Sequence, residues 1–222
     1  MARLIFSREK YISKLVVGKE VLDVGCVNHS LMTRNPEKWL HGELKKSAGS
    51  LIGLDYIDEE VKQLKQEGFD VVCADATSFD IDKQFDLIIA GDILEHLVRP
   101  SDFLDSCRRH LKSDGQLILT TPNANCALFF AENLVLGHEL DNNDHVCIYT
   151  PQTINKLLEK CGWHADKFVF ESRLLAHYKN TVPGKIVAYS MWIFNTLFGY
   201  IRPSLSRHFI TLASPNKIKT KD

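Results

Sequence analysis

The sequence lacks several features that would assign it to a familiar class at once. Its charges balance, with 27 Lys and Arg against 28 Asp and Glu, so no basic field predicts a DNA partner. Residues 1–19 carry charge throughout and contain no apolar stretch of the kind found in a signal peptide. No internal repeat and no low-complexity linker is present. These absences favour a cytoplasmic protein whose substrate is not DNA.

Cysteine is also used without any paired spacing. None of the six cysteines forms a C-x-x-C pair, and several stand in apolar runs. This pattern predicts reduced, mostly buried thiols in a reducing compartment and gives no metal-ligand signature. The six are Cys26, Cys73, Cys107, Cys126, Cys147 and Cys161.

The composition is that of an ordinary globular protein, with 45% hydrophobic and 25% charged residues in 222 positions. A chain of this length fits one domain, or one domain with an appendage. We expect residues 1–222 to form one domain that carries a helical insertion at residues 174–206.

Short apolar runs alternate with stretches of helical periodicity along most of the chain. The runs are rich in Val, Ile and Leu and bounded by Gly, Asp or Pro, which is typical of strands buried on both faces of a parallel sheet. The alternation predicts a doubly wound α/β sheet of seven strands. The strands are expected at Glu20–Gly25, Ser50–Asp55, Asp70–Asp75, Phe85–Asp92, Gln116–Pro122, Trp163–Ser172 and His208–Ser214. Helices are expected at Ser7–Val17, Glu59–Glu67, Ser101–Leu111 and Pro151–Cys161.

The residues that close the strands are informative, because ligands of open parallel sheets bind beyond the carboxyl ends of the strands. The first four strands end in a group of small and acidic residues, which we predict to bind the ligand. A carboxylate at Asp55 can accept both ribose hydroxyls of a nucleoside, and Asp75 can reach an adenine amino group. Turn or cap roles are the structural alternatives for these aspartates. The predicted binding group is Asp23, Gly25, Cys26, Asp55, Asp75, Gly91 and Asp92.

Five sequence motifs stand in the order and spacing of a known family. They are VLDVGC, LIGLD, ADAT, FDLIIAGDILEHL and HLKSDGQLILTTPN, followed later by DHVCIYTPQTINKLLEKCGW. Together, from Lys19 to Trp163, they resemble class I methyltransferases, and most closely the branch that includes ubiquinone-biosynthesis O-methyltransferases. The resemblance implies a Rossmann-like fold and S-adenosylmethionine as the cofactor.

The first loop departs from the family pattern D-x-G-x-G-x-G. Val27 and His29 stand where the family has glycines. A Cβ is unfavourable at positive φ and keeps a ligand away from the backbone, so we expect this loop to be shaped differently.

The segment after the fourth strand carries the candidate catalytic groups. Asp92, Glu95 and His96 have i, i+3, i+4 spacing, which would place them on one helical face beside the methyl group. The family has catalytic or metal-binding groups here, and we predict His96 and Glu95 as catalytic. A divalent cation, with His145 as a distal ligand, is the less favoured version, because Asp92 is shorter than the Glu of metal-binding relatives. A capping carboxylate beside a satisfied histidine is the structural alternative.

The segment Val182–Ile201 is apolar on almost every side. The 16 residues between Lys185 and Arg202 fall short of the roughly 20 that cross a bilayer. Three interpretations stay open: a buried helix, a lid over an apolar substrate, or an interfacial helix that makes peripheral contact with a membrane.

These observations predict O-methylation of a hydroxyl on a small-molecule, lipid-linked or glycan acceptor. The mechanism needs little beyond alignment of nucleophile, methyl carbon and sulfur, with His96 as the base. RNA 2′-hydroxyl methylation is one alternative, since some small-RNA methyltransferases carry a similar Glu-x-x-Glu-His pattern. A non-catalytic nucleotide-binding module is the other. His29 and His41 are further histidines expected near the pocket.

Overall fold

The computed structural model describes residues 3–27, 39–136, 142–172 and 182–216. Its strands are β1 (Arg3–Ile5), β2 (Glu20–Val24), β3 (Ser50–Asp55), β4 (Val71–Cys73), β5 (Phe85–Gly91), β6 (Leu111–Pro122), β7 (Trp163–Glu171) and β8 (His208–Pro215). Its helices are α1 (Arg8–Ile12), α2 (Leu40–Lys45), α3 (Asp58–Gln66), α4 (Pro100–His110), α5 (Ala127–Leu136), α6 (Pro151–Lys160) and α7 (Val182–Ile201).

The strands form one sheet in the order β1-β7-β8-β6-β5-β2-β3-β4. β8 runs antiparallel to both β6 and β7, and the other neighbouring pairs are parallel. The Rossmann-like, doubly wound α/β fold is therefore confirmed, with a helix between β7 and the last strand. The sheet has eight strands rather than seven, because the three-residue β1 pairs with β7 at the edge.

Several element boundaries differ from the sequence expectations. α1 ends at Ile12 rather than at Val17, although Ser7 caps it as expected, its Oγ accepting from the Lys10 N–H at 3.2 Å. β4 ends at Cys73, so Asp75 lies two residues beyond the strand. The helices α2 and α5 were not predicted, since the short LHGELK contains a glycine and the nearly uniform ALFFAENLVL has no polar face.

The central strands bury both faces because apolar residues occupy successive positions. In β5, Leu87 and Ile89 belong to one core cluster, and Ile88 and Ala90 belong to the cluster on the opposite face. α1 and α2 cover the first face with residues such as Ile12, whereas α4 and α6 cover the second. The uninterrupted apolar runs in the sequence follow from this two-sided burial.

Within the described residues, no helix combines the length and apolarity needed to cross a membrane.

The aromatic core under β8 gives a stability prediction. Phe209 is fully buried and its ring lies 6.1 Å and 6.2 Å from those of Phe168 and Phe170, centroid to centroid. We expect Phe209→Ala to lower the free energy of unfolding by about 3–5 kcal/mol, because it leaves a cavity. The matched control Phe130→Ala, at a position 73% exposed, should change it by less than about 0.5 kcal/mol. Chemical denaturation measures both, and equal losses would contradict this account of the core.

Candidate active site

A cavity of about 550 Å³ opens at the carboxyl edge of the parallel strands, within the size range of small-molecule pockets. Most of the predicted binding residues meet there, although they are far apart in the sequence. Asp23, Cys26 and Glu95 lie outside its lining. The predicted residues that do line it are Gly25, Asp55, Asp75, Gly91, Asp92 and His96.

The loop after β2 retains one of the three glycines of the family pattern, at Gly25. Gly25 has φ +81°, and a Cβ there would overlap the Ile93 side chain, so glycine is required. Val27 has no such requirement, because the expected positive φ is absent and its side chain is buried in a cluster with Trp39, away from the cavity. The Cβ of Val27 is therefore accommodated without strain, and the different loop shape expected from the sequence stays a prediction. His29 lies outside the described residues.

Asp55 joins this loop to the end of β3. Its Oδ2 accepts from the Val27 N–H at 3.0 Å, and its Oδ1 accepts from the Ile57 N–H at 3.2 Å. Burial raises the pKa of the carboxyl, an effect that these backbone hydrogen bonds oppose. Since each carboxylate oxygen can accept more than one hydrogen bond, the group can hold the loop and still face a ligand.

Asp75 lines the cavity from the loop after β4. Its Oδ1 accepts from both the backbone N–H and the hydroxyl of Thr77, each at 2.7 Å. The hydrogen bond from the Thr77 hydroxyl is the largest of the effects that lower the pKa of this exposed carboxyl. The hydrogen bonds fix the carboxylate in its ionised form at the mouth of the cavity.

Asp23 and Cys26 line a smaller recess that adjoins the cavity. The Asp23 carboxylate lies 2.9 Å from Nδ1 of His41, and both side chains are buried. The Trp39 indole N–H donates to the Cys26 carbonyl at 2.7 Å, and burial raises the pKa of the Cys26 thiol. His41, expected near the pocket, lines this adjoining recess.

Asp92 is held in a left-handed conformation with φ +54°. Its N–H donates to the Thr120 carbonyl at 3.0 Å, and its carboxylate accepts from the Thr120 hydroxyl and from the guanidinium of Arg8. Such a backbone conformation in a non-glycine residue persists where surrounding bonds over-determine it, as they do here.

Arg8 is the main site residue that the sequence analysis missed. It is buried, and its Nη1 also donates to the Thr120 hydroxyl at 2.9 Å. Burial lowers the pKa of its guanidinium, but the carboxylates of Asp92, Glu171 and Glu9 outweigh that effect and raise it. An arginine four residues before the buried Ile12 was the available clue, because it places a charge on the helix face that enters the core.

Glu95 and His96 do not share a helical face with Asp92, so that expectation is wrong. They belong to a 3-10 turn, Leu94–His96, in which Glu95 is fully buried and His96 lines the cavity. Glu95 Oε2 accepts from the Thr121 hydroxyl at 3.1 Å, and Oε1 has no hydrogen-bond partner among the described residues. Burial, and then the charge of Asp92, raise the pKa of Glu95 to about 8.

A second histidine completes this cluster. The His145 ring lies edge-on to that of His96, with centroids 4.7 Å apart. The backbone holds it there, because the N–H groups of Val146 and Cys147 donate to the Glu95 carbonyl. One ligand atom each from Glu95, His96 and His145 lies within 4.8 Å of the others, which is close enough to hold a metal ion.

The comparison with protein families identifies the fold that carries this site. The model of a family described as a methyltransferase domain matches residues 1–167. The chain therefore belongs to that family, as a class I S-adenosylmethionine-dependent methyltransferase. The resemblance to class I methyltransferases that the sequence motifs indicated is confirmed. S-adenosylmethionine is the cofactor of that class.

Curated relatives include both O- and N-methyltransferases. The mitochondrial ubiquinone biosynthesis O-methyltransferase of Homo sapiens is 26% identical over 166 residues, which cover 67% of this chain and 42% of that protein. The (S)-tetrahydroprotoberberine N-methyltransferase of Eschscholzia californica is 28% identical over 102 residues, covering 46% and 29%. The chain spans less than half the length of either relative.

Solved structures share the fold at low sequence identity. Magnesium protoporphyrin IX methyltransferase (ChlM) from Synechocystis PCC 6803, with bound SAH, has a TM-score of 0.59 at 13% identity, covering 92% of this chain and 80% of that one. A SAM dependent methyltransferase from Archaeoglobus fulgidus has a TM-score of 0.58 at 19% identity, covering 92% and 89%.

The Arg8–Asp92 ion pair can be tested by substitution. We expect Arg8→Met to lower the free energy of unfolding by about 3–5 kcal/mol, because it leaves buried carboxylates without their cation. In the double variant Arg8→Met/Asp92→Asn, the second substitution should recover part of that loss. Arg99→Met is the control, since that side chain is 75% exposed and its pair with Asp102 should contribute less than about 1 kcal/mol. Equal losses from Arg8→Met and Arg99→Met in denaturant would contradict the role of the pair.

Proposed function

We propose that this protein transfers the methyl group of S-adenosylmethionine to a hydroxyl oxygen of a small-molecule, lipid-linked or glycan acceptor. The observation that carries the proposal is the position of His96. Its imidazole lines the same cavity as Gly25, Asp55 and Asp75, so a proton acceptor stands beside the place for the cofactor.

The cavity residues fit the cofactor. Asp55 offers carboxylate oxygens to ribose hydroxyls, and Asp75 offers an ionised carboxylate to the adenine amino group. Gly25 lines the cavity and has no side chain, so the cofactor can approach its backbone closely. Arg8, which lies with Gly25 and Gly91 around a smaller adjoining recess, is paired with Asp92 and holds that carboxylate at the edge of the cavity.

The cofactor supplies an activated methyl group on a sulfonium, so the chain needs only to orient the acceptor and remove its proton. His96 takes that proton, since an imidazole titrates near neutral pH. His145 packs against the His96 ring and limits its rotation. Ile93 and Leu97 form an apolar wall of the same cavity, which excludes water from the acceptor oxygen. Glu95, buried beneath, fixes the turn through its bond to Thr121.

Oxygen is favoured over nitrogen as the acceptor atom. A hydroxyl must lose its proton during transfer, and the site offers a base for it, whereas a neutral amine attacks through its lone pair. The similarity to the human O-methyltransferase also extends over more of the chain than that to the plant N-methyltransferase. The balanced charge of the sequence argues against RNA. RNA methylation and a non-catalytic binding role are outcomes that the assay below distinguishes.

A metal-assisted version is a second candidate, supported by one observation. Glu95 Oε1 is buried without a hydrogen-bond partner in the described structure, and it lies in the cluster with His96 and His145. Two imidazoles and a carboxylate suit a divalent transition metal. Such an ion would bind the acceptor oxygen and lower its pKa, leaving no need for a base. Asp92, paired with Arg8, is not part of this cluster.

A cytoplasmic location is part of the proposal. It is supported by the cysteines, because all six are free thiols and three of them are buried. Thiols persist in that form in a reducing compartment.

Cofactor binding tests the pocket. We expect Asp55→Ala to weaken S-adenosylmethionine binding by about 1.5–3 kcal/mol in calorimetry, because hydrogen bonds to a charged group are lost. Asp70→Ala is the control. It removes an exposed carboxylate directly before β4, at the other end of that strand from the cavity, and should bind the cofactor as the wild type does. An unchanged affinity in Asp55→Ala would remove this residue from the ribose site.

Methyl transfer tests the chemistry. With labelled S-adenosylmethionine and separate lipid, glycan, small-molecule and RNA fractions, we expect label in a fraction other than RNA. His96→Ala should reduce the rate by roughly 10²–10⁴-fold, and the exposed His164→Ala should not change it. In the proposed version a chelator has no effect. Loss of turnover with chelator and recovery with added metal would establish the metal-assisted version instead, and cofactor binding without transfer to any fraction would indicate a non-catalytic module.

A further inference from the structure

The helix α7 presents an apolar face to solvent. Six large side chains that are at least 50% exposed lie along it at spacings of one, three and four residues, together with the smaller Ser190. These spacings place them on one side of the helix. They are Ile186, Tyr189, Ile193, Leu197, Tyr200 and Ile201. We call this set the outer face of α7.

The opposite side of the helix makes polar contacts with the body of the protein. Asn195 is 1% exposed; its Nδ2 donates to the Ser172 hydroxyl at 3.1 Å, and its Oδ1 accepts from the Cys126 thiol at 3.7 Å. The hydroxyls of Thr196 and Ser172 lie 2.6 Å apart. Met191 and Phe194 also pack from the inner side against Cys126 and Leu128. The helix is thus held by hydrogen bonds and apolar contacts, and its outer face is apolar as well, unlike the polar outer side of an ordinary surface helix.

The exposed apolar surface continues onto a neighbouring element. Phe6, which follows β1, is 51% exposed, and its ring lies 6.4 Å from that of Tyr200. Contiguous exposed apolar surface of this kind marks a contact site for a partner or a membrane.

The charge of this part of the sequence is one-sided. From Ser172 to Lys221 the chain contains eight Lys and Arg and no Asp or Glu, although the whole chain has a net charge of −1. Arg202 is exposed directly after the last residue of α7. A sequence segment that carries only positive charge and contains an apolar helix face is complementary to a surface that is both apolar and negatively charged.

We propose that the outer face of α7 lies on the surface of an anionic lipid bilayer. The aliphatic side chains enter the boundary between headgroups and acyl chains, the two tyrosines lie at headgroup level, and Arg202 faces the lipid phosphates. α7 begins after β7 and packs against Ser172, at the carboxyl edge of the parallel strands, which is the edge that carries the cavity. Contact through α7 therefore brings the cavity close to the bilayer.

A second copy of the chain fits this face less well. In a two-fold symmetric dimer the same patch meets itself, so the basic segment would face another basic segment. Like charges across an interface oppose association, whereas anionic lipid attracts them.

Vesicle flotation of the full chain tests the proposal without depending on methyl transfer. The wild type is mixed with vesicles of phosphatidylcholine alone or with phosphatidylglycerol added, at low and high salt. We expect flotation with the anionic vesicles, weakened by salt and weaker with the neutral ones. Ile193→Ser/Leu197→Ser, which removes apolar surface without changing charge, should reduce partitioning by about tenfold or more. Val17→Ser, at a 66% exposed aliphatic position before β2, should float as the wild type does.

Circular dichroism is used to check that each variant is folded. Tyr200→Ser/Ile201→Ser is a second double variant, which removes apolar surface at the end of the helix. A wild type that never floats, or flotation unchanged in both double variants, would overturn the proposal. Equal binding to neutral and anionic vesicles would overturn its electrostatic part. Sedimentation without vesicles gives the remaining outcome: a wild-type dimer that dissociates in Ile193→Ser/Leu197→Ser would assign the face to a second copy.

Discussion

The carboxyl edge of this protein is organised around the buried positive charge of Arg8. An isolated guanidinium in this position would be strongly unfavourable, and it is stable because carboxylates surround it. Through Asp92 and Thr120 it connects α1 to the ends of β5 and β6. The backbone N–H of the same residue donates to Glu171 at 2.8 Å, at the end of β7. One residue thus joins three strands at the edge that carries the cavity, and removing its charge would leave several anions close together.

The bounds of the strands and the residues at their ends could be predicted from the sequence. Side-chain contacts between elements that are distant in the sequence could not. The β3 strand has the bounds that its apolar run indicated. Asp55 at its end and Asp75, two residues beyond β4, meet at one cavity because the carboxyl ends of neighbouring parallel strands lie at the same edge. Arg8 and Asp92 are 84 residues apart, and no local pattern pairs them. β1 was missed for a similar reason, since three residues carry too little periodicity to identify a strand.

The first loop shows that a valine can replace a glycine of the family motif where the backbone needs no positive φ. The family pattern places glycines at several positions, but only Gly25 has a left-handed conformation among the residues described in this loop. Val27 tolerates its side chain because that side chain packs inward, and its N–H still reaches Asp55. The valine at position 27 is therefore weak evidence against cofactor binding, although the sequence motif alone suggested otherwise.

The pairing of β1 with β7 has a consequence for the order in which the protein can form. Arg3 has its register partner at Val169, so a chain emerging from the ribosome carries this strand long before its neighbour exists. Contacts of such sequence separation are slow to close and come late in folding. Both core clusters also contain residues of β7 and β8, such as Val169, Phe209 and Ile210. A nascent chain can therefore complete neither its core nor the edge that carries the cavity until nearly all of its residues have been made.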